Sequence, residues 1–443
     1  MAKRFFIHKG EWDSIIGRLQ ELVMANSGED EFKEIFKLLI AKLYSEKIGS
    51  SSYKFRSYRS SKETAKAINA LISLAADRWK GIIEEPHLLR LTDEHINVCV
   101  EALEKYSILD TSLEVMDSVF EHLVSRAAKG AKGQYFTPRH VIECCVRIID
   151  PSPDEIIIDP ACGSGGFLIH ALNYIRTNYP SADVEAYCEN RLWGFDFEHR
   201  AIQVAKALML IAGDGQANIF RVNSLLLNNI QQISMLEEDK TGIPNLTIED
   251  VVRMRYRKQD GFDVVLTNPP FAGEIKEGSI LEGYELYRKG RRLERDVLFL
   301  ERCIKLLKPG GRIGIVLPYN KLGSQAWAYL REWLYKNLRI VAVLGLGRNT
   351  FLPHTHQKAS ILFGIKRERA IRNIPPEDII FMISEKEGKD SSGRIINRVK
   401  SREEDNIWVK ADHDFEEIVE KFHEFVNSKN IVWNKKNGTI PSS

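Results

Sequence analysis

The apolar positions of the chain change their period near residue 130. Before that point they recur at i, i+3 and i+4, which places them along one side of a helix. The spacing is clearest in two stretches, Phe32, Ile35, Phe36, Leu39 and Leu43, and then Val115, Met116, Val119, Phe120 and Leu123. The pattern predicts an N-terminal helical domain over residues 1–130.

Between residues 131 and 370, short β-branched runs alternate with amphipathic stretches of helical length. The runs are EIIIDP, LWGFDF, FDVVLTNPP, GGRIGIVLP, RIVAVLGL and ASILFGI. This alternation predicts an α/β domain of βαβ units around a mainly parallel sheet, and such sheets bind ligands beyond the carboxyl ends of their strands. We therefore expect the functional residues directly after the apolar runs. Residues 371–443 predict a strand, a polar loop and a helical tail.

Composition and charge exclude several classes of protein. With 63 Lys and Arg against 61 Asp and Glu in 443 residues, the chain is neither a small basic DNA-wrapping protein nor one with an acidic disordered tail. No window approaches about 18 uncharged apolar residues, and the first residues lack a signal-like apolar stretch, so we expect a cytoplasmic protein without membrane contact. The 6 cysteines form no CxxC pair, which favours reduced thiols over a disulfide or zinc site.

The first motif with chemistry is a glycine-rich turn in IIIDPACGSGGFLIHAL. A strand delivers Asp159, Gly163 to Gly166 form the turn, and a helix begins near Phe167. Glycines allow positive φ and close approach of the backbone to a ligand, while the helix N-terminus offers free amides. Nicotinamide, flavin and S-adenosylmethionine all suit such a turn, although the spacing is not GxGxxG and makes a dinucleotide less favoured. A tight turn without a ligand is the alternative.

The second motif is the carboxylate that ends the next apolar run. Asp196 stands in WGFDFEHRAIQVAK, after the second predicted strand. A carboxylate at this position suits the two ribose hydroxyls of a nucleoside-type cofactor. An Asp is also a common helix N-cap, so the interpretation as a cofactor ligand depends on the position of Asp196 after the glycine turn.

The third motif is Asn268, Pro269, Pro270 and Phe271 in FDVVLTNPPF. The prolines remove two amide donors and fix φ, which leaves rigid carbonyls beside the Asn268 amide oxygen. Two acceptors can bind both hydrogens of a planar NH2 group, and Phe271 can stack on the ring that carries it. These are the needs of methyl transfer to an exocyclic amine such as adenine N6.

The order of these motifs resembles that of N6-adenine DNA methyltransferases, and most closely the modification subunit of type I restriction-modification systems. The resemblance rests on GQYFTP at residues 133–138, DPACGSGGF, Asp196, NPPF and LLKPGGRIGIVLP. It implies a Rossmann-like methyltransferase fold, S-adenosylmethionine as cofactor, and double-stranded DNA as substrate. It further implies a separate specificity subunit and a restriction subunit as partners, because residues after 367 are too few to hold target-recognition domains.

By the same resemblance, two sets of residues receive roles. The catalytic set, which would hold N6 and stack on a flipped adenine, is Asn268, Pro269, Pro270 and Phe271. The cofactor-binding set is Gln134, Tyr135, Phe136, Thr137, Pro138, Arg139, Asp159, Gly163, Ser164, Gly165, Gly166, Asp196 and Asn223. Asn223 stands where the family often has an acidic residue, which leaves its contact with the cofactor adenine open.

Several other interpretations stay open. The same Asn-Pro-Pro site serves protein glutamine methyltransferases, although these usually end the motif in Tyr. Cytosine N4 enzymes usually begin it with Ser, and a non-catalytic cofactor-binding scaffold is a third alternative. A nuclease motif of Asp378, Glu387 and Lys389, and a metal site at His354 and His356, have little support from spacing.

Positive charge is concentrated locally although the net charge is +2. RMRYRK at residues 253–258 and RKGRRLER at residues 288–295 flank the NPPF strand. A third basic stretch, GSSSYKFRSYRSSK at residues 49–62, interleaves bases with aromatics in a way that can track a phosphate backbone. A solvated loop between helices is the favoured interpretation of the third stretch. The overall balance fits a catalytic subunit that takes DNA affinity and specificity from a partner.

Overall fold

The computed structural model describes residues 9–26, 28–49, 53–127, 137–213, 218–227, 246–255, 261–271, 273–275, 278–287, 293–373, 375–402 and 406–434. The chain forms two compact units. The first comprises residues 1–131 and 203–216, and the second residues 132–202 and 217–443. Of the three predicted basic stretches, residues 50–52, 256–258 and 288–292 lie outside the described residues.

The first unit is helical. Its helices are α1 Lys9–Asn26, α2 Glu31–Ile48, α3 Ser61–Arg78, α4 Asp93–Leu103 and α5 Leu113–Ala127. Asp30 caps the start of α2 by accepting a hydrogen bond from the Lys33 amide, and Gly49 at φ 66° ends it. Both predicted apolar stripes are found, one on α2 and one on α5, and all their residues are buried except Val115, which is partly exposed.

The second unit contains an eight-stranded sheet with strand order β10-β8-β9-β7-β4-β1-β2-β3. The strands are β1 Ile157–Asp159, β2 Leu192–Asp196, β3 Asn218–Arg221, β4 Phe262–Thr267, β7 Leu307–Pro318, β8 Leu338–Gly345, β9 Ala359–Lys366 and β10 Ile380–Ile383. β5 Glu274–Ile275 and β6 Leu293–Glu294 form a separate pair. The sheet is mainly parallel, as predicted, but β9 runs antiparallel to β7 and β8.

The remaining helices alternate with these strands along the sequence. They are α6 Arg139–Ile149, α7 Gly166–Asn178, α8 Val184–Arg191, α9 His199–Ile211, α10 Ile248–Arg255, α11 Gly278–Leu281, α12 Arg295–Leu306, α13 Tyr319–Gly323, α14 Ala328–Asn337, α15 Ile407–Lys410 and α16 Phe415–Ser428. The buried positions of the strands are mostly apolar, because a parallel sheet is covered on both faces, and the buried polar exceptions are Asp159, Asn218, Thr267, Arg312 and Ser360. α12 and α14 pack on one face through a core that includes Val297, Leu300 and Leu334.

The C-terminal residues contain a strand and a helix where the sequence predicts them, β10 and α16. Both belong to the second unit. The domain boundaries at residues 130 and 370 stay predictions. Within the described part of the chain, no helix is both long and apolar enough to cross a membrane.

Candidate active site

Four adjacent parallel strands bring the predicted motifs to one edge of the sheet. β1 lies between β4 and β2, and β3 follows β2. The carboxyl ends of parallel strands meet at the same edge, where open α/β sheets bind their ligands. The residues that end or follow these strands are Asp159, Asp196, Asn223 and Asn268.

Asp159 ties the end of β1 to the end of β4. Its Oδ1 accepts hydrogen bonds from Thr267 Oγ1 at 2.6 Å and from the Ala161 amide at 3.1 Å. The side chain is buried, and this burial raises the pKa of Asp159 to about 7 although both hydrogen bonds favour the charged form. Asp159 therefore fixes the spacing between the glycine turn and the strand that carries Asn268.

The glycine turn has the backbone that its sequence predicts. Gly163 and Gly165 adopt φ values of 52° and 84°, and the Gly165 amide donates to the Cys162 carbonyl at 2.8 Å. A Cβ built on Gly163 meets no atom within 4 Å, whereas one on Gly166 lies 2.0 Å from Arg139 Nη1. The turn thus presents open space above Gly163 and close packing at Gly166, with the Ser164 side chain buried between them.

Asp196 holds the glycine turn from the neighbouring strand. Its Oδ2 accepts a hydrogen bond from the Gly163 amide at 2.9 Å, and its Oδ1 accepts one from the Glu198 amide at 2.8 Å. Burial raises the pKa of the Asp196 carboxyl. One strand further, Asn223 Oδ1 accepts from the Leu225 amide at 3.2 Å and forms the turn after β3.

Asn268 presents a buried oxygen that no described residue uses. Its Nδ2 donates to Thr137 Oγ1 at 2.8 Å, while its Oδ1 is buried without a donor among the described residues. A buried polar atom left without a partner costs about 1–3 kcal/mol, so such atoms are rare in folded proteins and are candidates for a functional role. Among the described residues, Asn268 Oδ1 is therefore a buried acceptor without a donor.

The next residues of the NPPF motif are packed rather than exposed. Pro269 is buried and Pro270 half-buried. Phe271 is only 4% exposed, and its ring meets Phe351 edge-on with centroids 5.7 Å apart. Phe271 therefore has a fixed orientation set by a residue 80 positions away in the chain.

The GQYFTPR segment is described only from Thr137 onwards. Gln134, Tyr135 and Phe136 lie outside the described residues. Thr137 contacts Asn268 as above, and Arg139 Nη2 lies 3.5 Å from Ser164 Oγ. Between them, Pro138 precedes the first residue of α6. The described end of the segment thus joins the glycine turn to Asn268.

Several residues at this site were not predicted from sequence. Phe197 and Tyr319 are about half exposed, at 49% and 50%, directly after β2 and β7. Their position after a strand end is the signal that could have identified them. Glu387 hydrogen-bonds the Asn349 amide and the Thr350 hydroxyl beside Phe351, a contact that no local pattern reveals.

The next residues are those of the nuclease-like motif and of the candidate metal site at the two histidines. Lys389 Nζ donates to the carbonyls of Thr350 at 2.9 Å and Leu352 at 2.8 Å, so with Glu387 it braces the loop around Phe351. His354 and His356 are exposed. Across the residues that the structure describes, no three His, Cys, Asp or Glu side chains form a group that could hold a metal ion.

Comparison with known proteins finds methylase subunits of type I restriction enzymes among the relatives. A type I restriction enzyme EcoEI methylase subunit from Escherichia coli is 28% identical over 238 residues, which are 54% of this chain and 43% of the relative. The StySPI methylase subunit from Salmonella potsdam is 27% identical over 278 residues, 57% of this chain and 46% of the relative. The chain therefore spans less than half the length of these curated relatives.

The fold is shared with solved structures. A type I restriction-modification system methyltransferase subunit from Streptococcus thermophilus matches with a TM-score of 0.59 at 15% identity, over 95% of this chain and 94% of that one. The predicted α/β methyltransferase fold with a helical N-terminal region is thereby confirmed. The model of the family described as N-6 DNA Methylase matches residues 111–443, which include the glycine turn and the NPPF motif. The chain belongs to the N-6 DNA methylase family.

Proposed function

We propose that the protein transfers a methyl group from S-adenosylmethionine to the N6 amine of a flipped adenine in DNA, as the modification subunit of a type I restriction-modification system. The observation that carries the proposal is the buried Asn268 Oδ1, which no described residue uses. A primary aromatic amine is the donor that this oxygen suits. Family membership and the names of the relatives support the same function.

The residues at the ends of β1 and β2 fit S-adenosylmethionine. The open space beside Gly163 would receive the cofactor, and Asp196 would accept the ribose hydroxyls with the lone pairs that its backbone amide donors leave free. Near this turn, Arg139 Nη2 lies 3.5 Å from Ser164 Oγ, and Asn223 follows the neighbouring strand β3. Thr137 and Pro138 directly precede Arg139, the first residue of α6. The cofactor would supply the electrophilic methyl group of a sulfonium.

On the acceptor side, Asn268 Oδ1 and the Pro269 carbonyl would accept the two N6 hydrogens. Phe271 would pack against the base, with its ring fixed by Phe351. Fixed acceptors favour the geometry in which the nitrogen lone pair turns out of the ring plane toward the methyl group. The reaction requires the adenine to leave the duplex, which base flipping provides.

The proposal also names partners. A separate specificity subunit would read the DNA sequence and a restriction subunit would complete the enzyme, since the relatives are named as methylase subunits of type I restriction enzymes. A cytoplasmic location stays a prediction from the sequence.

The test measures transfer of labelled methyl from S-adenosylmethionine to unmethylated DNA, with and without a specificity subunit. Asn268→Ala should lower the rate by about 10²–10³-fold, because it removes an acceptor used in the transition state. Asn190→Ala, an exposed asparagine on α8, is the control and should keep the wild-type rate. Cofactor binding without transfer under any subunit combination would support the scaffold alternative, and label in protein instead of DNA would support a glutamine methyltransferase.

A further inference from the structure

The loop before α3 exposes positive charge without counter-ions. Between residues 54 and 66 the sequence has five bases and one acid. The bases are Lys54, Arg56, Arg59, Lys62 and Lys66, and all five are exposed. None of them forms an ion pair with a residue that the structure describes. Such a concentration of charge stands out in a chain whose net charge is +2.

The loop is anchored and its shape is defined. The Phe55 amide donates to Ser45 Oγ at 2.9 Å, and the Ser57 amide donates to Glu104 Oε2 at 2.7 Å. The Phe55 ring is buried, with Lys42 Nζ 5.1 Å from its centroid. These contacts hold the backbone between exposed bases, so the positive groups project from a fixed surface rather than from a solvated loop.

Tyr58 orders the bases further. Its hydroxyl accepts from the Lys54 amide at 3.0 Å and donates to the Lys54 carbonyl at 3.2 Å. Arg56 lies over the Tyr58 ring, 5.0 Å from the centroid. A guanidinium held in this way loses less conformational freedom when its planar fork meets a phosphate.

The first turns of α3 continue the surface. Lys62 and Lys66 are four residues apart and therefore lie on the same side of the helix. Like charges at this spacing destabilise a helix slightly, so folding alone does not explain the pair. A bound anion would attract both lysines and offset their mutual repulsion.

We propose that this surface, residues 54–66, binds the phosphate backbone of DNA independently of base sequence. The inference rests on the proposed function, because it takes DNA as the substrate. Exposed Lys and Arg side chains on an ordered backbone suit the phosphates of a DNA duplex, which they contact without reading the bases. An anionic membrane fits less well, because Phe55 is buried and Tyr53 and Tyr58 are half-buried, which leaves no exposed apolar side chain in residues 53–60 to insert.

The test measures binding of the full chain to a labelled DNA duplex of unrelated sequence by fluorescence anisotropy over a salt series. The variant Lys54→Gln/Arg56→Gln/Arg59→Gln should weaken binding about 10- to 100-fold at low salt and reduce the slope of log K against log salt by about 0.9 for each lost phosphate contact. Arg59→Gln alone should reduce the slope by about 0.9. The control Arg78→Gln/Lys80→Gln removes two exposed bases at the other end of α3 and should change neither quantity.

Equal affinity and slope for wild type and the triple variant would overturn the proposal, and so would absence of wild-type binding at low salt. Loss of binding to phosphatidylserine vesicles with unchanged DNA binding would assign the surface to a membrane instead. At saturating DNA the triple variant should keep the wild-type methyl-transfer rate, with a raised KM for DNA. If wild type binds DNA with the expected slope but transfers no methyl group, the proposed function fails while this surface stands.

Discussion

The two halves of the candidate site are built over different distances in the chain. In the cofactor half, Asp196 binds the Gly163 amide across 33 residues and Asp159 binds the Ala161 amide across 2. The hydrogen bond of Asp159 with Thr267, across 108 residues, joins this half to β4. In the acceptor half, Asn268 binds Thr137 across 131 residues. The loop around Phe351 is braced by Glu387, whose carbonyl in turn lies 2.9 Å from His140 Nε2, 247 residues away.

The cofactor half is mainly a local motif, whereas the acceptor half is assembled from segments that are distant in sequence. The cofactor half lies on a glycine turn and two strand ends, so its shape follows once β1 and β2 pair. The acceptor half depends on the loop after β8, on the segment after β10 and on the start of α6. Substitutions in the cofactor half should alter cofactor binding and local stability. Substitutions in the acceptor half should affect only the transfer of the methyl group to its acceptor.

The largest expected effect tests the buried carboxylate of the cofactor half. Because burial raises the pKa of Asp159 to about 7, the folded state binds a proton that the unfolded state has lost. The contribution of this proton to the free energy of unfolding is fully present below about pH 4. It falls by about 4 kcal/mol as the pH rises through about 7. Asp159→Asn should flatten the dependence of the unfolding free energy on pH between 4 and 7, measured by denaturant unfolding.

The control for this prediction is Asp183→Asn at the exposed N-cap of α8, where asparagine also caps well. That variant should keep the wild-type pH dependence. If wild type and Asp159→Asn show the same slope, Asp159 is charged in the folded protein at neutral pH, and the cofactor half lacks the buried carboxylic acid that we infer.

The same difference explains what the sequence could predict. The glycine turn, Asp196 and the strand ends follow from short apolar runs, from the helical period of 3.6 residues and from glycine chemistry, all of which are local. Thr137 was expected to contact the cofactor, and its described partner is Asn268. No local pattern could show that Glu387 and Lys389 bind the loop around Phe351, because β8, β9 and β10 must assemble first.

The second prediction removes the remote partner of Asn268. Thr137→Val leaves Asn268 Nδ2 without its acceptor, and an unsatisfied buried donor costs about 1–3 kcal/mol. We expect kcat for methyl transfer to fall about 50-fold with cofactor affinity changed less than about threefold, measured by steady-state kinetics and calorimetry. Thr137→Ser keeps the hydroxyl and should restore kcat. A loss of cofactor affinity as large as the loss of kcat would place Thr137 in the cofactor half instead.

The third prediction compares two glycines with positive φ and open space around a Cβ, Gly163 at φ 52° and Gly310 at φ 77°. Alanine at either position should cost about 1–2 kcal/mol of unfolding free energy through backbone strain. Only Gly163→Ala should also weaken S-adenosylmethionine binding, by about 10-fold in calorimetry, because its methyl group enters the space proposed for the cofactor. Equal cofactor affinity in both variants would remove Gly163 from the proposed cofactor-binding set.

The smallest expected effect concerns Glu387, which binds the loop whose Phe351 packs against Phe271. Glu387 accepts hydrogen bonds from the Asn349 amide at 3.0 Å and from the Thr350 hydroxyl at 3.1 Å. Glu387→Gln keeps one acceptor and replaces the other with a donor, so the loop that holds Phe351 should shift without unfolding. We expect kcat/KM for DNA to fall about threefold, equivalent to less than about 1 kcal/mol, with cofactor affinity unchanged.

Glu385→Gln is the matched control for the brace, because Glu385 is an exposed glutamate two residues earlier on the same segment. It should leave both quantities at wild-type values. The cofactor affinity of Glu387→Gln is the informative measurement, because the Glu387 side chain binds the loop around Phe351, whereas its contact with His140 uses the main-chain carbonyl, which the substitution leaves in place. A parallel loss of cofactor and DNA binding would show that the two halves move as one body, and the distinction between local and assembled halves would then fail.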